Sequence, residues 1–131
     1  MLFKIFNSQE ERKKYGGSAF IEIQFCRLPM GTNVKDIVAV DGICHWQNDS
    51  LYVYIDNVNV FYKEYSRIFN CGIYNNLKKG GIDIYGINYY DLPHIGSMVE
   101  MLFIEKPVDY ETLAEWLNRA RAYNGFYILG I

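Results

Sequence analysis

Proline and cysteine are scarce in this 131-residue chain, with three of each, and histidine is scarcer still, with two. Each shortage closes off a class of protein. Cys26, Cys44 and Cys71 are odd in number and widely spaced, which argues against the disulfide framework of a small secreted scaffold. No apolar run approaches the length of a membrane span, and the run at residues 2–6 is too short for a signal peptide and has no small-residue cleavage site after it. The expectation is a cytoplasmic protein with free thiols. Basic charge is also missing: 13 Lys and Arg stand against 15 Asp and Glu, for a net charge of −2, so the electrostatic footprint of a duplex nucleic-acid binder is absent.

Aromatic residues are abundant. Twelve tyrosines, eight phenylalanines and two tryptophans suit either a large aromatic core or a recognition surface. Half of the residues are hydrophobic, enough for one compact domain over residues 1–131 with no room for a second. The richness in Ile, Asn, Tyr and Lys suggests AT-rich bacterial coding.

Periodicity predicts an α+β fold, a mixed or antiparallel sheet of about 5–7 strands with 3–4 helices mainly on one side. Residues 1–6 can form a strand. Ser8 and Glu11 have capping-box spacing ahead of a short solvated helix that Gly16-Gly17 stops. In residues 18–26, Ala19, Ile21, Ile23 and Phe25 share one face and Glu22 and Gln24 the other, which predicts a half-buried strand. Thr32 or Asn33 can cap a short helix. Residues 43–47 and 51–56 flank Asn48-Asp49-Ser50 as a predicted hairpin. A helix is expected from Asn57 or Asn59 to about Phe69, a loop at 77–81, and strands at 82–90 and 97–105. Asp109 caps the clearest helix, where Leu113, Trp116, Leu117 and Ala120 repeat at helical spacing, and 126–131 is a last strand.

Chemistry has few handles here. His45 and His94 are the only candidates for an acid/base pair of a small metal-free nuclease-like enzyme, with Lys78 or Lys79 as charge stabiliser, yet nothing in the sequence brings them together. Cys44 and His45 are adjacent, so on a strand they point to opposite faces and make a poor metal pair or nucleophile-base pair. No metal and no cofactor is expected. Lys78-Lys79-Gly80-Gly81 lacks the Walker pattern and precedes a strand instead of a helix, so a solvated turn explains it.

The aromatic alternation offers more. Tyr52, Tyr54 and Asp56 stand opposite the aliphatic face of one predicted strand, and Asp83, Tyr85 and Tyr89 share a face of another. If those strands are neighbours, the rings form a Tyr/Asp platform suited to a protein partner, unless a helix covers it. The function expected is therefore non-enzymatic binding of a macromolecule through these residues, the alternatives being the two-histidine enzyme and a ligand-binding or homo-oligomeric module. In size, mild acidity and lack of an active-site signature the chain is similar to bacterial immunity proteins, which neutralise a cognate toxin by covering its active site. That similarity implies a basic toxin domain as partner.

Overall fold

The computed structural model describes residues 1–131 as one six-stranded antiparallel sheet with helices on both faces, an α+β fold as expected. The elements run α1 (Gln9–Gly16), β1 (Phe20–Phe25), α2 (Val34–Ile37), β2 (Leu51–Tyr54), α3 (Val58–Tyr65), β3 (Gly72–Ile73), β4 (Lys79–Gly80), β5 (Ile87–Tyr90), α4 (Ile95–Glu105), α5 (Tyr110–Ala120) and β6 (Phe126–Leu129). Across the sheet the order is β2-β1-β6-β5-β3-β4. No helix is long and apolar enough to cross a membrane.

The two faces carry different cores. Ile21, Ile23 and Phe25 of β1, Leu51 and Val53 of β2 and Phe126 and Ile128 of β6 meet α3, α4 and α5 through Phe61, Tyr65, Leu102, Leu113, Trp116 and Leu117. Phe25 stacks on Trp116 with ring centroids 4.1 Å apart. Alternation sends the other set of side chains to the opposite face. There Phe20 and Tyr52 pack with Phe6, while Tyr127, Tyr89 and Leu129 pack with Ile37 and Val38 of the α2 region. All six residues of β1 are therefore buried, and the strand is not half-solvated.

Several local expectations hold. The Ser8 side chain accepts the Glu11 amide at 3.2 Å and opens α1, and Asn33 caps α2 by accepting the Lys35 amide at 3.0 Å. Asp109 precedes α5 and is tied down differently: its carboxylate accepts the Thr112 hydroxyl at 2.7 Å and the Phe3 amide at 3.0 Å.

Others are corrected. Residues 97–105 lie in α4, because Ile95, Met98 and Leu102, spaced at i, i+3 and i+7, bury one helical stripe and leave Phe103 and Ile104 exposed. Residues 43–47 form no hairpin arm; Trp46 takes a positive φ of 69° and the segment folds over β1 as a loop. Of the predicted strand 82–90 only Ile87–Tyr90 is a regular strand, and 82–86 is a turn in which Asp83 accepts the Tyr85 amide on its side chain at 3.0 Å and the Gly86 amide on its carbonyl at 3.3 Å. Residues 1–6 contribute a single bridge, Lys4 with Tyr52. The expected loop at 77–81 contains β4, which pairs with β3. Arg12 makes α1 less solvated than expected, being buried against the ring of Trp46.

Candidate functional site

The strand registers define a row across one end of the sheet. Phe20 faces Tyr54, Glu22 faces Leu129, and Leu129 faces Ile87. Pairing continues past the strands, with the Ile55 amide donating to Ala19 O at 3.0 Å, Gly130 to Gly86 O at 2.8 Å and Ile131 to Ile84 O at 2.9 Å. The row thus runs from Tyr54, Ile55 and Asp56 through Phe20 and Ile131 to the turn that holds Asp83 and Tyr85. At ordinary strand spacing this is a span of about 14 Å. Ile55, Asp56, Ile131, Asp83 and Tyr85 are all exposed here, Tyr85 at 77%.

Buried contacts fix this rim. Asn88, fully buried, accepts the Asp83 amide at 2.8 Å and donates to Asp83 O at 2.8 Å and to Ile128 O at 2.9 Å, pinning the turn to β6. A Cβ on Gly130 would lie 2.5 Å from the Ile84 backbone, so glycine permits the close approach of the two segments. At the other end of the row the Tyr54 ring meets Tyr15 edge-on at 5.2 Å and Phe20 at 5.3 Å.

Between rim and sheet lies a cleft of about 300 Å³ lined by Ser18, Phe20, Glu22, His45, Trp46, Leu129, Gly130 and Ile131. Glu22 forms its inner wall and is buried. Its carboxylate accepts hydrogen bonds from the Trp46 amide (2.8 Å), the Gln47 amide (2.9 Å), the Ser50 hydroxyl (2.7 Å) and the Gln24 side chain (3.1 Å), and His45 Nδ1 lies 3.6 Å away. The positive φ at Trp46 turns two successive amides toward one anion, a small backbone nest. From above, Arg12 of α1 lies 3.9 Å from the Trp46 ring centroid, and Gln9 donates to Asn48 at 2.8 Å. Loop 44–50 is held between α1 and Glu22. With its acceptor sites filled by protein donors, Glu22 is an anchor for this loop.

The six residues singled out by strand alternation divide. Tyr54, Asp56, Asp83 and Tyr85 lie along the rim. Tyr52 and Tyr89 do not: they are 0% and 1% exposed, beneath α1 with loop 44–50 and beneath the α2 region respectively, which corrects the exposed platform. The strands that carry them, β2 and β5, are separated by β1 and β6. The Tyr52 hydroxyl donates to Gln47 O at 2.5 Å, and burial, with the Glu22 charge adding to it, pushes its pKa up to about 12. Tyr89 donates to Asn124 O at 2.7 Å, and burial raises its pKa further. Sequence reading missed Glu22, Trp46, Ile55 and Ile131. An acid in the middle of an apolar strand was the available signal for the first.

The two histidines are not brought together. His45 stands beside Glu22 on the α1 face, whereas His94 hydrogen-bonds Asp91 ahead of α4 and lines a separate cleft with Arg67, Cys71 and Ser97 on the opposite face. Cys71 there is half-buried, and burial raises its thiol pKa, which disfavours the thiolate. The Lys78-Lys79-Gly80 segment is taken up in the β3–β4 hairpin, where Asn76 accepts the Lys78 amide at 3.0 Å. No protein-family model matches the chain, and no curated protein or solved structure matches it.

Proposed function

We propose that this chain is a non-enzymatic binding protein that acts by protein–protein contact through the rim formed by Tyr54, Ile55, Asp56, Asp83, Tyr85 and Ile131. The observation that carries the reading is the 77% exposure of Tyr85 beside Asp83 in a turn that buried Asn88 and Gly130 hold rigid. A large ring held out to solvent by a fixed backbone offers contact area without the ordering cost of a mobile loop. A row of about 14 Å fits well inside a standard interface of about 800 Å² per partner. The exposed aliphatics and Tyr85 supply the apolar centre, and Asp56 and Asp83 an acidic border, the composition expected opposite a basic partner. Among such proteins the immunity type fits best: a small, mildly acidic chain whose partner is a basic bacterial toxin domain, neutralised in the cytoplasm by occlusion.

The test is capture from the source cells on immobilised protein, in parallel with Tyr85→Ala and the charge reversal Asp83→Lys. One stoichiometric basic partner held by the wild type is expected, with Tyr85→Ala weakening it by about 1–4 kcal/mol if Tyr85 is a hot spot. Tyr85→Ala should keep the wild-type melting temperature within the small range of surface substitutions, whereas Asp83→Lys also removes the acceptor of the Tyr85 amide and should lower it by the cost of a lost turn cap. Retention of the partner by both variants at full affinity rejects the rim.

A further inference from the structure

The end of the sheet opposite the rim carries the opposite charge. β1 leaves the rim at Phe20 and reaches Phe25 about 17 Å away, beside the start of antiparallel β6 at Phe126, so Arg27 and residues 119–125 gather there. Three of the chain's five arginines, Arg27, Arg119 and Arg121, lie at this end, all exposed. Asp49 is the one carboxylate that pairs with any of them, taking Arg27, so two positive charges stand unpaired in a chain whose net charge is −2. Arg119 and Arg121 follow from the end of α5, where cations complement the helix dipole. That does not account for Arg27, which comes from β1, nor for the rings between them.

The arginines flank a stack of three aromatic rings. Phe25 lies between Trp116, at 4.1 Å and 5° between planes, and Tyr123, at 4.4 Å and 11°. Trp116 is buried and Tyr123 half-buried, so Tyr123 is the outer ring. The Arg27 guanidinium is 5.9 Å from the Phe25 centroid and 5.4 Å from that of Tyr123, and Arg119 is 5.5 Å from that of Phe25. At nearly equal distances from two parallel rings, Arg27 stands beside the stack and does not cap the outer face of Tyr123. Tyr123 lines a pocket of about 300 Å³ together with Arg27, Arg121, Leu28, Met30 and Leu92. Its floor is fixed: the Asn124 amide donates to Cys26 O at 3.1 Å, the Cys26 amide to Gly125 O at 3.0 Å, and the Asn124 side chain to Pro29 O at 3.1 Å. Arg27 gives one Nη to Asp49, and Arg121 gives its Nε to Asn118 at 3.1 Å, so each guanidinium keeps N–H groups with no acceptor in the protein.

We infer that this pocket binds a small planar anion, whose ring lies against Tyr123 and the apolar wall while its phosphate or carboxylate group bonds Arg27 and Arg121. Guanidinium groups match both anions in geometry, and an aromatic face accepts any flat ring. The two features together select the ligand. A bare inorganic anion leaves Tyr123, Leu28, Met30 and Leu92 unused, and an uncharged ring leaves the free N–H groups unmatched. A volume of about 300 Å³ is at the small end for organic ligands, which suits a nucleoside monophosphate or an aromatic acid. The pocket is remote from the rim and independent of the rim's role, so each can fail alone.

Calorimetric titration of the intact protein tests this with two complete probes, adenosine 5′-monophosphate and 2-naphthoate, and with their parts: adenosine, inorganic phosphate and acetate. At least one complete probe is expected to bind saturably and to shift the ring resonances of Tyr123, with its parts at least about tenfold weaker. Which complete probe binds more tightly distinguishes a phosphate from a carboxylate ligand. Arg121→Gln, an exposed substitution, should lower the affinity about tenfold, the loss of one charge-assisted hydrogen bond, while Tyr85→Ala at the far end leaves it unchanged. The proposal is overturned if neither complete probe binds saturably, or if one part alone binds as tightly as the whole. It is equally overturned if bound probe leaves the Tyr123 resonances unmoved, or if Arg121→Gln binds like the wild type.

Discussion

Removing the charge of Glu22 without changing its shape tests how loop 44–50 is held. In Glu22→Gln the amide oxygen takes the Oε2 position, where it keeps Gln47, Ser50 and Gln24 as donors. The new NH2 group then occupies the Oε1 position and points at the Trp46 amide, which donates at 2.8 Å in the wild type. Two donors face each other, and flipping the amide is worse because Oε2 serves three donors to the one at Oε1. An unsatisfied buried donor costs about 1–3 kcal/mol, and each bond that loses its charged acceptor gives up a further fraction of about 1 kcal/mol. The sum is about 3 kcal/mol. For a chain of this length a loss of that size corresponds to a fall in melting temperature of about 10 °C. Differential scanning calorimetry measures it, with Glu115→Gln as the exposed control that should leave the transition in place. Hydrogen exchange supplies the second readout: the Trp46 and Gln47 amides should lose protection before the strand amides of β1. A melting temperature within about 2 °C of the wild type would refute the anchoring role.

Leu102→Ala removes a fully buried side chain from the stripe of α4 and should cost about 2–5 kcal/mol in denaturant melts, whereas Ile104→Ala, on the exposed side, should cost almost nothing; equal effects would contradict the helix. Gly130→Ala forces a Cβ to within 2.5 Å of the Ile84 backbone, so the 82–86 turn must shift; we expect about 1–3 kcal/mol of destabilisation together with weaker partner binding. The Tyr52 pKa is raised by folding from 10.0 to about 12, so the neutral hydroxyl is the form that folding favours. Its contribution to stability is complete below pH 10 and falls away toward pH 12, and Tyr65, Tyr89, Tyr90 and Tyr127, also raised by burial, add in the same direction. Absorbance at the tyrosinate band should therefore show a class of tyrosines that ionises only as far-UV dichroism is lost, and a single titration near pH 10 with the fold intact would exclude it.

What the sequence disclosed and what it hid follow from the range of the interactions. The Ser8 cap, the β1 alternation and the α5 spacing depend on residues within a few positions of one another, and each is present in the structure. Segment 97–105 is a short, largely apolar run in which periodicity does not separate strand from helix, and the buried stripe completed by Ile95 decided for helix. Loop 44–50 was misread because its backbone amides are satisfied by Glu22, more than twenty residues away, and no local pattern announces that the ladder will be replaced by a carboxylate. The same non-local packing buried Tyr52 and Tyr89: alternation placed them on the second face of the sheet, and their covers, α1 with loop 44–50 and the α2 region, come from earlier stretches of chain. At Asp83 and Tyr85 a side-chain-capped turn displaced the strand, and that displacement is what carries Tyr85 out to solvent.

Covering both faces of the sheet restricts where this protein can meet anything else. The open sheet face of many antiparallel folds is occupied here by aromatic packing, as Phe20 and Tyr52 against Phe6 illustrate. The rim, where strands end, therefore offers side chains on a backbone fixed by Asn88 and Gly130. The Tyr15–Tyr54 contact ties that rim to α1, so the helix that covers this face of the sheet also braces one end of the row.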